Sequence, residues 1–176
     1  MKKPMKWIEK MREAREARAY TQSGLLRRAE ENAAPGGVTP EGFLGRDARR
    51  LGHIIRADEM EFQNLGLDWE KTADILDDLL LRGSAGLGDA VTLGGFLVRV
   101  SETRGSFPCP WEDGLYRKRS ASVIRLVDGQ RHGEEILISD LGIHLLRAHH
   151  FLQGKGSPFR LEPQALKNLL LGAKGN

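Results

Sequence analysis

The sequence predicts an α+β protein: a helical N-terminal half, then a small antiparallel sheet of about three strands flanked by C-terminal helices. Two pattern observations carry this. Apolar residues recur at three- and four-residue spacing as far as residue 82, and after the glycine-rich run Gly83–Gly88 the period changes to strict alternation. Composition agrees, since 176 residues with 40% hydrophobic and 29% charged side chains describe an ordinary globular chain. That length can bury a core without disulfides or metals as staples.

The elements follow in order. Lys6 to about Glu31 is rich in Ala, Glu, Arg, Lys and Leu and predicts one long helix with a weak point at Gly24. Its apolar stripe is thin, with Trp7, Met11 and Ala14 followed by Arg18 and resumed at Leu25 and Leu26. Ala33–Gly37 reads as a linker. Thr39-Pro40-Glu41 then supplies a capping residue followed by proline, so a second helix is expected from there, with Leu44, Ala48, Leu51, Ile55 and Phe62 on one face and an end at Asn64-Leu65-Gly66. Asp68 caps a third helix whose buried row is Trp69, Ala73, Leu76 and Leu80.

Beyond the glycines, Phe96, Val98 and Val100 alternate with Arg99, Ser101 and Thr103 as a half-buried strand. Further strands are expected at Ser122–Val127 and Glu135–Ile138, with Asp128-Gly129 as the hairpin signal between them. Ser139 and Asp140 cap a fourth helix expected to run from Leu141 to Gln153 and to stop at Gly154. Lys155–Pro163 is a loop, and Glu162-Pro163 opens a last helix carrying Leu166, Leu169 and Leu170. The expected organisation is a long basic arm over residues 1–34 and a single α+β domain over 35–176, helical across 39–82 and built of strands and helices across 90–171.

Charge is segregated along the chain. Residues 1–31 are dominated by Lys and Arg, whereas 57–81 hold Asp58, Glu59, Glu61, Asp68, Glu70, Asp74, Asp77 and Asp78 against Lys71 alone. Acids interleaved among the N-terminal bases argue against a nucleic-acid arm and favour association of this helix with a protein partner or a second copy of the chain. Arg117-Lys118-Arg119 is the best basic cluster for nucleic acid, but the strands offer no row of exposed aromatics on which bases could stack. Glu9, Lys10, Arg12 and Glu13 interrupt the basic start where an export signal would turn apolar, and no stretch is long and apolar enough to span a bilayer. With a single cysteine, Cys109, no internal disulfide is available, so a cytoplasmic location is expected.

No sequence motif assigns a reaction. Gly83–Gly88 lies between helix and strand, the reverse of a phosphate loop, and Gly154-Lys155-Gly156-Ser157 lacks the upstream glycine. Ser84 fits no nucleophile elbow, and CxxC, HExxH and repeated ExxH patterns are absent. Two regions, Pro108–Trp111 and His144–Arg160, nevertheless gather residue types that a core does not need. Trp111, Lys155, Ser157 and Arg160 form a candidate ligand or anion site, with the Lys155 segment acting as a backbone nest. Cys109, His144, His149 and His150 form a candidate site for a divalent metal such as zinc, with His132 a further candidate. At roughly 100° per helical residue, His144 and His149 project about 140° apart, which argues against a closed site built from this helix alone. The leading expectation is a non-enzymatic interaction or small-ligand-binding module. The alternatives are a metal-dependent or Cys/His-based, hydrolase-like enzyme centred on Cys109 and the 144–150 histidines, and nucleic-acid binding through 117–119.

Overall fold

The computed structural model describes residues 4–171, with side chains described from Ile8 onward. Helix α1 spans Pro4–Ala33, α2 Leu51–Asn64 and α3 Trp69–Gly83; after one 3-10 turn come strands β1 (Ala90–Leu93), β2 (Phe96–Pro108), β3 (Leu115–Val127) and β4 (Gln130–Ser139), then α4 (Asp140–His149) and α5 (Pro163–Leu170). The four strands form an antiparallel meander in sequence order. The architecture is α+β, with one strand more than the sequence suggested. β1 is only four residues long and follows no clean alternation, so it leaves no periodic signal.

Local chemistry accounts for most element ends. Asp68 accepts a hydrogen bond from Lys71 N–H, and Ser139 accepts one from Gly142 N–H, each satisfying an orphan amide at a helix start. Val127 pairs with Gln130, so the β3–β4 loop is the two-residue Asp128-Gly129 turn, with both residues at positive φ as a type I′ turn demands. Buried faces of the sheet and of α3, α4 and α5 share one core, in which Leu76, Leu80, Val98, Val123, Ile138, Leu146 and Leu166 are almost entirely enclosed. A second, smaller core joins Ala29 and Ala33 of α1 to Leu51, Ile54, Cys109, Leu141, Leu145 and Phe151. The last turns of α1 are therefore packed against the body, while residues 8–25 are exposed on every face, and the helix passes Gly24 unbroken.

Two expectations change. The helix expected from Thr39–Pro40 begins only at Leu51, and residues 34–50 are irregular. Thr39 Oγ1 does accept an amide hydrogen bond, from Gly42 N–H, but it closes a turn and starts no helix. Gly42 and Gly45 both have left-handed φ, and a Cβ on Gly45 would lie 2.4 Å from Ser157 N. Backbone bonds from Arg46 N–H to Lys155 O and from Gly154 N–H to Phe43 O lay this segment against 154–157 instead. The fourth helix, expected to reach Gln153, stops at His149. His150 is left-handed at φ 50°, and Phe151 N–H closes back onto Leu145 O, which turns Phe151 and Leu152 into the core.

Part of the acidic run is answered inside the protein. Arg147 of α4 contacts Glu70, Asp74 and Asp77 of α3 at 3.3, 2.8 and 2.9 Å. In the irregular segment, Asp47 accepts from Arg49 Nε and Nη2 at 2.8 and 2.6 Å and from the backbone amides of Arg49 and Lys155. The Arg49 guanidinium, helped by those amides and opposed by burial, holds this carboxyl far below the usual carboxylate range. A depressed folded-state value stabilises the fold above the unfolded value and is lost as pH falls below it. Asp47→Asn is therefore expected to cost about 1–3 kcal/mol at pH 7. The difference from the parent should shrink as pH drops below about 4. Urea unfolding of both proteins at pH 7 and pH 3 measures this, and a constant difference would refute it.

Candidate metal centre

The β2–β3 connection, residues 109–114, is a compact turn. Its neck closes through Cys109 N–H to Gly114 O at 2.9 Å, Glu112 N–H bonds Cys109 O, and Glu112 takes a left-handed φ of 60°. Trp111 N–H points at Cys109 Sγ from 3.4 Å. The turn is gripped from outside by α1, where Asn32 Nδ2 donates to Pro110 O and Glu112 Oε1 and Arg28 reaches Glu112 Oε2. Its inner side faces α4.

Between turn and helix, Cys109, Asp113, His144 and His149 bring one donor atom each to within 4.8 Å of one another. The two carboxylate oxygens of Asp113 divide between the histidines, Oδ1 to His144 Nε2 at 3.0 Å and Oδ2 to His149 Nε2 at 2.9 Å. Cys109 Sγ lies 3.6 Å from His149 Nε2. Ring orientation is fixed by stacking: Trp111 lies flat on His149 at 4.1 Å between centroids, and Tyr116 lies on His144 at 4.2 Å. Cys109 is completely buried, and the imidazoles are 17% and 14% exposed.

Burial pushes the Cys109 thiol up to about 12, reinforced by the neighbouring Asp113 and opposed by the Trp111 amide. Burial likewise lowers His149 against the pull of Asp113. Burial acts to raise Asp113, yet the hydrogen bond with Cys109 and the charge of His144 outweigh it, and its carboxyl sits below the ordinary value. The group thus offers two imidazoles, a carboxylate and, where a bound cation displaces the proton of the raised thiol, a thiolate, the donor types that zinc takes.

One edge already has the separation a tetrahedral ion needs. With Zn–S of about 2.3 Å and Zn–N of about 2.0–2.1 Å, the S···N edge of a tetrahedron is about 3.6 Å. Cys109 and His149 already stand at 3.6 Å. The carboxylate–imidazole contacts run to different oxygens of Asp113, and the donor atoms spread over up to 4.8 Å, so a cation would replace these hydrogen bonds and draw the four donors together. The angular objection raised by the 144/149 spacing is met because Asp113 comes from another element and sits between the rings, which approach edge-to-face at 5.2 Å.

Of the residues singled out from sequence, Cys109, His144 and His149 come together. His150 does not join them: its Nδ1 pairs with Glu59 at 2.7 Å, and its ring stacks on Trp69, because the left-handed turn at this residue sends it to the other side of α4. His132 is exposed opposite Arg125 in the β3–β4 hairpin. Asp113 was missed; its signal was a carboxylate four residues after Cys109 in the same short loop. The proposed ligand set Trp111, Lys155, Ser157 and Arg160 is dispersed. Trp111 stacks on His149, Lys155 lies in the loop under Asp47, and Arg160 is a buried ion-pair partner of Asp58. Arg117 and Arg119 are paired with Glu102 and Asp140, and Lys118 Nζ lies 4.7 Å over the Phe107 ring. No helix among the described residues is long and apolar enough to cross a membrane. No family model matches the chain, and no curated protein or solved structure shows significant similarity to it.

Proposed function

We propose that the chain is a metal-binding protein of the zinc type, with Cys109, Asp113, His144 and His149 as ligands and the metal acting as a staple. The carrying observation is the convergence of these four donors within 4.8 Å from two elements. Four protein donors fill a tetrahedron, which is the pattern of structural sites; Lewis-acid catalysis needs an open position. A bound ion would tie the β2–β3 turn to α4 and, through Asn32 and Arg28, seat the end of α1. The test is metal analysis of the purified full chain together with its visible spectrum after cobalt substitution. One equivalent of metal, lost in Cys109→Ser, with tetrahedral cobalt bands that added azide leaves unchanged, is the expected result. Metal-free protein that also fails to take up zinc refutes the reading, and azide-sensitive bands would favour the hydrolase alternative instead.

A second reading concerns α1, proposed as a docking arm for a second copy of the chain or a protein partner. Residues 8–25 are exposed all round, including Ile8, Met11, Tyr20 and Leu25, and a helix without packing is marginal in water. Removing residues 1–24, which spares the packed Ala29 and Ala33, should lower the molar mass seen by light scattering to that of a monomer. A full-length chain that is itself monomeric, with residues 8–25 giving no helical signal, would refute self-association.

A further inference from the structure

A cavity of about 360 Å³ lies between the irregular 39–43 segment, the start of α4, the 153–159 loop and the middle of the β2–β3 ladder. It is distinct from the metal centre and shares no ligand with it. Its size falls in the range of small-molecule sites. Phe43, Phe107 and Leu141 give it apolar walls.

The polar groups lining it are unusual in what they have left to give. Thr39 is 7% exposed, and its Oγ1 accepts from Gly42 N–H, which leaves the hydroxyl proton without an acceptor among the described residues. Gln153 is 4% exposed; its Oε1 accepts from Ser157 Oγ, and its amide NH2 has no partner among the described residues. Of the cations on this wall, Arg119 is held on Asp140 and the exposed Arg117 pairs loosely with Glu102 at 3.7 Å, whereas Lys118 has no carboxylate within ion-pair distance among the described residues. All three groups are donors, with Lys118 Nζ lying over the Phe107 ring at the cavity wall. The one carboxylate on the lining, Glu41, is exposed to solvent.

Gln153 is also held in place at a conformational cost. Its φ of 70° is in the left-handed region, uncommon for a residue with a long side chain. The Arg160 guanidinium, itself fixed by Asp58, donates to Gln153 O, and Ser157 holds the side-chain oxygen. Arg160 and Ser157, suggested by the sequence as anion ligands, thus position a donor at the cavity. Strain kept by a surrounding network of this kind is a feature of binding sites.

We propose that this cavity binds a small organic acid, a carboxylate on a single-ring or short alkyl body, with the carboxylate taken by Lys118, Gln153 and Thr39 and the body by Phe43, Phe107 and Leu141. The test uses the full chain as purified, titrated with phenylacetate and octanoate, with phenylacetamide as the uncharged twin and inorganic phosphate as the bare anion, and followed by calorimetry and amide chemical shifts. Both acids are expected to bind saturably and to shift the amide signals of Phe43, Phe107 and Gln153. Phenylacetamide should bind about tenfold more weakly or worse, because it forfeits a charge-assisted hydrogen bond. Lys118→Glu, at a partly exposed position that the core does not need, should weaken the acids by at least about tenfold, and Gln153→Leu should do the same if its fold is retained. Equal binding of acid and amide, binding unaffected by Lys118→Glu, phosphate binding in place of the acids, or no saturable binding at all would each overturn the proposal.

Discussion

Stripping the metal from the full chain with a chelator is expected to lower its melting temperature by about 10 °C and to restore it on addition of one equivalent of zinc. The magnitude follows from mass action. An ion that binds only the folded state, present a thousandfold above its dissociation constant, adds about 4 kcal/mol. In a chain of this size each kcal/mol moves the midpoint by roughly 2–4 °C. The metal-free protein should remain folded, since the larger core around Leu76, Val98, Val123 and Leu146 has no part in the centre. What should loosen is the 109–114 turn and the end of α1 that grips it through Asn32. Hydrogen exchange can read this directly: the Gly114-bonded amide of Cys109 should lose protection without metal, while core amides of β3 keep theirs. Cys109→Ser, which also places a hydroxyl in the second core, should melt no higher than the metal-free parent and no longer respond to zinc. A zinc-dependent rise in that variant equal to the parent's would place the ion elsewhere.

Arg160→Ala is expected to destabilise the chain by about 3–5 kcal/mol, because it strands a buried charge. Arg160 and Asp58 are 4% and 3% exposed at their side chains and meet in a two-pronged pair at 2.8 and 3.1 Å. The guanidinium also serves Glu162 at 2.7 Å and the Gln153 carbonyl, so four acceptor atoms lose their donor at once. Removing both members together behaves differently. Asp58→Leu with Arg160→Met should recover much of the loss, since a well-filled apolar pair has no desolvation to repay. Urea denaturation of the two single variants and the double variant gives the coupling. Additive losses would show that the pair is not energetically coupled. The same variants link to the cavity, because Gln153 loses its anchor with Arg160, and octanoate binding should fall alongside stability.

What could be read in the sequence was the local part. Asp68, Ser139 and Pro163 mark helix starts because capping and the N1 position are decided within a few residues, and Asp128-Gly129 marks its hairpin for the same reason. The buried row Ala73, Leu76 and Leu80 follows from periodicity alone. Failure came where a local signal met a distant partner. Thr39-Pro40 looks like a helix start, but Gly42 and Gly45 let the segment pack against Gly154–Ser157, more than a hundred residues away.

The site divides along the same line. Cys109 and two histidines could be named as metal-ligand types from chemistry alone, and so could the unsuitability of their helical spacing. Neither showed that Asp113 would enter between the imidazoles, that His150 would be turned away to Glu59, or that Arg160 would be buried on Asp58. By itself the sequence determined the α+β class, the order of the helices and of three of the four strands, and most of the residues that bury themselves, because propensity, capping and hydrophobic period act over a few residues. Only the tertiary structure decided which ionisable groups share a site, because desolvation and charge pairing depend on neighbours that the chain brings together from 31 to 102 residues apart.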